Sequence, residues 1–416
     1  MTDERERIEI FLVPGFLGFA KLEGLDYYIG VAETLRARLA EVDLDAVVHA
    51  TSTIPAGSLR KRAVKLAHEV AARHDPRAAS VHLVGHSTGG LDVRLLLSPD
   101  SDCNAEGPVV RSMGRRLAER YGDALSKVKT AVGVATPHYG TPIASLGVRL
   151  SLEALLRGVG TAARIPLVRH ALALALISGA WGAAVLKRLM LQPSFLAWID
   201  ATVLSKNPLA VLAYLDTIGS EVGALRNLTQ ETTDLANVLV RDRPGIDYAS
   251  IVTGTNQPAG PIETADPLIY LNTIAYRLAW SIMAARDTAY EYAPRVDELQ
   301  SMHDADRAAG LDVGALTIDG DRTGDGIVPS ASQAYGDVLG VFASDHLDCV
   351  GHFREARGAR GGRSGWVSSG AQFTPERFEL LWGRVAELVA ASVGRSLSAT
   401  PPPRAKRMRV VGAARR

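Results

Sequence analysis

The segment Val81-His82-Leu83-Val84-Gly85-His86-Ser87-Thr88-Gly89-Gly90-Leu91-Asp92 restricts the possible folds more than any other stretch of the chain. Val81 to Val84 reads as a short strand and Gly89 to Leu97 as a helix. Between them Gly85-His86-Ser87-Thr88-Gly89 matches G-x-S-x-G. Small residues two before and two after the serine let a strand and a helix approach closely through a strained turn that lifts the hydroxyl clear of the sheet. The helix N-terminus behind it favours negative charge, and the Thr88 N–H can donate to it. A chance match is the bland alternative in a chain with 39 glycines. The flanking strand, helix and Gly-Gly pair argue against it.

The rest of the first half repeats that alternation. Ile8 to Val13, Ala46 to Ala50 and Val128 to Ala135 read as strands. Tyr28 to Leu39 and Ser58 to Arg73 read as helices, the second carrying Leu59, Ala63, Leu66 and Val70 at helical spacing. Strand–helix alternation of this kind produces a mostly parallel sheet covered on both faces. The N-terminal part of this α/β core covers 1–142. Residues 143–245 hold Leu- and Ala-rich helical stretches and no convincing strand, which makes them a helical lid or cap insertion. The core resumes over 246–397 with strands at Tyr248 to Thr253 and Val338 to Phe342, interrupted by a second helical insertion at about 262–310. A helix opened by Thr374-Pro375 and stopped by Gly394 closes the core. Residues 398–416 read as a basic, solvated tail.

A serine hydroxyl attacks only when a base takes its proton and a carboxylate orients that base. In the order serine, acid, histidine, the acid belongs on a turn after a late strand and the histidine on a loop after the last one. Asp325 in Gly-Asp-Gly-Ile-Val-Pro-Ser and His346 in Ser-Asp-His-Leu-Asp fit these places. Asp319 and Asp321 compete for the first role and His352 for the second, whereas chain order rejects His303. A second oxyanion donor belongs on the glycine-rich loop Val13-Pro14-Gly15-Phe16-Leu17-Gly18. Phe16 N–H is preferred, with Leu17 one residue away as the alternative.

Together, PGFLGF, GHSTGG, ATPHYGTP, GDGIVP and DHLD resemble the bacterial true lipases of the α/β-hydrolase superfamily, in the family's own order. The resemblance covers about residues 8 to 145 and 315 to 352. It implies Ser87 as nucleophile, Asp325 and His346 as its partners, and Phe16 and Thr88 as oxyanion donors. It also implies that Leu17, His138 and Tyr139 line the substrate mouth. Pro14 stands where many relatives carry histidine. Asp348 resembles the placement of a calcium-binding aspartate in some relatives, although no partner aspartate can be named for it and a plain loop acid fixing the histidine loop is the preferred reading. No organic cofactor is implied, and calcium is compatible.

Lys+Arg 46 against Asp+Glu 45 gives a net charge of +1, so no global field favours nucleic acid. Two cysteines, Cys103 and Cys349, allow one bridge at most. The start MTDERERIEIF lacks a secretory pattern, which gives cytoplasmic placement or export by another route as the expectation. The most apolar run, His170 to Leu186, is 17 residues long and falls short of the ~20 a bilayer needs. The expected activity is cleavage of carboxylic esters with apolar acyl groups, the lid touching a lipid interface when open. An acyltransferase or polyester depolymerase would use the same site. A catalytically silent binding protein is the rival of another class. Oligomeric state is not readable.

Overall fold

The strand nearest the N-terminus, β1 (Glu6–Val13), alternates its side chains between two cores. Ile8, Ile10 and Leu12 face one, and Phe11 and Val13 face the other. A strand buried on both sides needs partners on both edges. It pairs in parallel with β2 (Leu44–Ala50) and β3 (Ser80–His86). The sheet continues in parallel through β4 (Val128–Val134), β5 (Asp247–Gly254) and β6 (Asp337–Ala343). Its order is β2-β1-β3-β4-β5-β6, which puts the serine-bearing strand in the middle. The computed structural model describes residues 5–16, 18–22, 25–98, 121–149, 223–262, 264, 267–284, 296–353, 367–397 and 408–409.

Helices α1 (Val31–Ala40) and α8 (Pro375–Ser392) cover one face, packing Leu35, Leu39, Phe378, Leu381 and Trp382 onto Ile8, Ile10 and Leu12. Each such side chain, fully buried, contributes about 1.5–3 kcal/mol. Helix α8 starts where the Thr374 side chain accepts the Arg377 N–H, with proline in its first turn. Helices α2 (Leu59–Arg73) and α3 (Thr88–Leu97) cover the other face through Ala63, Leu66, Val70, Val93 and Leu97. This is the α/β-hydrolase fold, as the sequence indicates.

The differences from the sequence reading are local. Helix α1 begins at Val31, three residues later than Tyr28, because Gly30 turns with φ 77° and the preceding residues are tied elsewhere. The Ile29 N–H donates to the Val350 carbonyl. Strand β3 runs on through Gly85 and His86, which lack strand propensity but keep the ladder with β4. In the first insertion the described helices are α4 (Pro142–Arg149), the short turn of helix Ala224–Asn227 and α5 (Gln230–Leu239). In the second they are α6 (Pro267–Ala284) and α7 (Val296–Ala308), where Leu299 packs under β6. Most of the expected lid, the run His170 to Leu186 and Cys103 lie outside the described residues. So does the tail apart from Met408–Arg409, which pairs antiparallel with β6 instead of standing free as a solvated segment. Cys349 is buried and unbridged. Among the described residues no helix is long and apolar enough to cross a membrane.

Candidate active site

Ser87 ends β3 at the head of α3 with φ 54° and ψ −130°, a left-handed conformation rare for a residue with a side chain and costing roughly 1–3 kcal/mol. Two glycines make the turn possible. A Cβ on Gly85 would lie 2.3 Å from the Gly89 carbonyl carbon, and one on Gly89 would lie 2.3 Å from the Val13 carbonyl oxygen. The Ser87 N–H still reaches the Val134 carbonyl at 2.9 Å, so β4 anchors the strained residue. Thr88 opens α3, where its N–H is among the first four that have no partner inside the helix.

Asp325 and His346 are brought together. Asp325 is 0% exposed and is satisfied as an acceptor. Its Oδ1 takes the N–H groups of Ile327 at 3.0 Å and Val328 at 2.8 Å. Its Oδ2 takes His346 Nδ1 at 2.8 Å and Gln333 Nε2 at 3.1 Å, and the Thr253 hydroxyl stands at 3.0 Å. A second bond runs from the His346 N–H to the Asp325 carbonyl. A carboxylate oxygen accepts, so His346 Nδ1 is the donor of this bond and Nε2 is the ring nitrogen left for a base. His346 is 8% exposed, and its ring lies 4.7 Å, centroid to centroid, from that of His86, the residue immediately before Ser87. Among the described residues the Ser87 hydroxyl makes no hydrogen bond to either residue.

The loop after β1 sits against the serine, since a Cβ on Gly15 would meet the Ser87 Cβ at 2.8 Å. Its carbonyls are gathered by Arg62 of α2, which is 0% exposed. Nη2 donates to the carbonyls of Pro14 and Gly15, each at 2.9 Å, and Nη1 to that of Ile54 at 3.1 Å. Nε pairs with both oxygens of Asp92 on α3 at 3.1 and 2.9 Å. Burial pushes the Asp92 carboxyl up to about 6, and the Arg62 charge opposes that rise. In a trans peptide the N–H points opposite to the preceding carbonyl. With the Gly15 carbonyl turned to Arg62, the Phe16 N–H is turned away from it. Leu17 lies outside the described residues.

The other expected site residues have different surroundings. His138 is 2% exposed. Its ring stacks on Tyr335 with centroids 4.7 Å apart, and Nδ1 stands 3.3 Å from Arg94 Nη1. Burial and the Arg94 charge hold it well below the usual imidazole range. Tyr139 is buried and donates its N–H to the Ser332 hydroxyl at 3.2 Å. Asp348 is buried beside Asp345, whose Oδ1 accepts the Asp348 N–H at 2.9 Å. Burial, and for Asp348 the neighbouring Asp345 charge, raises both carboxyls. Among the described residues no group of three or more His, Cys, Asp or Glu side chains is placed to hold a metal ion. Of the residues passed over, His303 Nδ1 bonds the Val341 carbonyl and His352 Nε2 the Tyr27 carbonyl. Asp319 uses its N–H on the Thr323 hydroxyl.

Sequence reasoning missed Arg62, Asp92, Thr253 and Gln333. Arg62 alone left a signal, as a charge directly beside Ala63 on the apolar stripe of α2.

No family model and no curated protein matches the chain. Among solved structures it is similar to a metagenomic carboxyl esterase, with 16% identity, 93% of this chain and 76% of that one covered, and a TM-score of 0.47. It is similar to EstA from Clostridium botulinum, with 17% identity, 94% and 88% covered, and a TM-score of 0.47. It is also similar to lipase 1 from Pelosinus fermentans, with 17% identity, 92% and 98% covered, and a TM-score of 0.44. The assignment of the α/β-hydrolase fold stands on the chain's own sheet order and on the turn at Ser87.

Proposed function

We propose that the protein is a serine hydrolase that cleaves carboxylic esters through an acyl-Ser87 intermediate. One observation carries the reading: a fully buried, fully hydrogen-bonded Asp325 presents Oδ2 to His346 Nδ1 at 2.8 Å, on a loop whose ring packs against the residue preceding the strained serine. In this mechanism His346 Nε2 takes the Ser87 proton as Oγ bonds to the ester carbonyl carbon. The resulting oxyanion is met by the N–H groups of Phe16 and Thr88, and Asp325 stabilises the imidazolium. Collapse breaks the bond to the alcohol oxygen, which leaves with the Nε2 proton. Water then attacks the acyl carbon, giving a proton to Nε2, and the second collapse returns that proton to Ser87 Oγ and releases the acid.

Apolar acyl groups are the favoured substrates on the strength of the Leu- and Ala-rich sequence between 143 and 240. A series of p-nitrophenyl esters from acetate to palmitate, with wild type and Ser87→Ala, tests both statements. Turnover by wild type that rises with chain length and vanishes in Ser87→Ala is expected. Equal turnover by the two proteins would refute the mechanism, and a preference for acetate would refute the apolar substrate. Adding an alcohol separates transfer from hydrolysis by the ester product formed. A chelator arm tests whether calcium matters.

A further inference from the structure

We infer that Tyr27 and His86 form a positioning relay that locks the oxyanion loop and the histidine-bearing loop to the two sides of Ser87. This rests on the reading that Ser87 is acylated. The Gly15 N–H reaches the Tyr27 hydroxyl oxygen at 2.8 Å, and that hydroxyl lies 2.7 Å from His86 Nδ1. His86 Nε2 lies 2.8 Å from the backbone carbonyl of His346. Gly15 belongs to the loop that precedes the proposed donor, His86 precedes the nucleophile, and His346 is the base. Three segments far apart in sequence are therefore joined through two side chains, both buried.

The direction of the relay is fixed by what each end can do. The His346 carbonyl only accepts, so His86 Nε2 carries a proton. Burial and the neighbouring His346 ring hold His86 well below the usual imidazole range, so the ring is neutral and Nδ1 accepts. The Tyr27 O–H must then donate to Nδ1, which leaves its oxygen to accept the Gly15 N–H. Burial raises the phenol, so it keeps its proton. One proton arrangement satisfies every group, with none left over.

Two consequences follow for catalysis. The Gly15 N–H is committed to Tyr27 and cannot serve the oxyanion, and Pro14 has no N–H. Phe16 is thus the first residue of the loop with an N–H to offer. The His346 backbone is held one imidazole's width from the residue adjoining Ser87, so the relay sets how far the base stands from the nucleophile. Tyr27 is itself clamped to the base loop, its carbonyl accepting from His352 Nε2 at 2.9 Å, with Ile29 bonded to Val350 two residues on. Neither Tyr27 nor His86 touches the reacting atoms in the mechanism above, so both are positioning residues.

The test compares wild type with Tyr27→Phe, His86→Gln and His82→Gln. The last alters a buried histidine of the same strand whose partners are the Ser80 and Thr130 hydroxyls at 2.9 and 3.0 Å. Each variant is assayed for Tm, for kcat and KM on p-nitrophenyl butyrate, and for inhibition by an alkyl trifluoromethyl ketone, whose hemiketal oxyanion reports donor placement. Tyr27→Phe and His86→Gln are expected to lower kcat about 10–100-fold, the scale of a displaced oxyanion donor, and to weaken the ketone by a similar factor. Their KM should change less than about 3-fold, as loss of an interaction made only in the transition state requires. His82→Gln should lower Tm and leave kcat and ketone affinity in place. A Tyr27→Phe protein with a reduced Tm but wild-type kcat and ketone affinity would overturn the relay while leaving the esterase reading intact. If Tyr27→Phe does not fold, His86→Gln decides by the same readouts. A wild type that neither hydrolyses the ester nor binds the ketone would overturn the esterase reading, and the relay with it.

Discussion

Asp325 shows how a carboxylate stays buried: the Ile327 and Val328 N–H groups, Gln333 and the Thr253 hydroxyl leave Oδ2 one remaining task, which is to hold His346 Nδ1. Replacing that oxygen by an amide changes the tautomer without changing the shape. Asp325→Asn is therefore expected to lower kcat by about 10⁴, the loss seen for this substitution in a serine-protease triad, with KM little altered. Steady-state kinetics on a soluble ester checks it, and a loss below about 10-fold would remove Asp325 from the mechanism. The position of Asp325 was readable in the sequence because Gly324 and Gly326 mark a tight turn after a late strand. Its supports are not: Gln333 reaches back from the short helix Ser330–Gln333, and Thr253 on β5 comes beside it only when the sheet assembles.

At the level of elements, α2 and α3 are coupled through the ion pair of Arg62 and Asp92, and that pair also shapes the loop after β1. Removing only Arg62 would strand a buried carboxylate at a cost of about 3–5 kcal/mol, whereas exchanging both residues for apolar ones is often nearly neutral. Arg62→Met should accordingly destabilise strongly. The double variant Arg62→Met with Asp92→Leu should regain most of the lost stability, yet remain about 10–100-fold slow because the Gly15 carbonyl has lost its anchor. Urea unfolding and ester turnover of the two variants separate these effects. A double variant that is both stable and fully active would show that Arg62 serves packing alone. The elements themselves were largely legible, since β1, β3 and α2 announce themselves by local periodicity. Helix α1 starts later than its periodicity predicts because Tyr27 to Ile29 are drawn away by contacts with Val350 and His352, more than 300 positions downstream.

For the molecule as a whole, stability is tied to pH through histidines buried in the neutral form. Burial lowers His82 to about 3, and it holds His86 and His138 well below their ordinary value. Below pH ~6.5 the unfolded chain binds protons that these native sites refuse, so stability falls with pH by up to about 1.4 kcal/mol per unit for each site. Asp92, Asp345 and Asp348 work in the opposite sense, because their raised carboxyls bind protons in the folded state first. The net slope is a balance, but a single-site difference is not. Between pH 6 and 4 the unfolding free energy of His82→Gln should depend on pH less steeply than that of wild type, by about one proton. Parallel urea titrations of the two proteins measure it, and identical slopes would mean that His82 is not held neutral by the fold.

The reading of Ser87 as a nucleophile meets its most direct test in intact-protein mass spectrometry after exposure to an alkyl fluorophosphonate. One adduct per chain, mapped by peptide sequencing to Ser87 and missing from Ser87→Ala, is the expected result. A folded protein that takes up no label, or that carries it on another residue, would contradict the proposed chemistry.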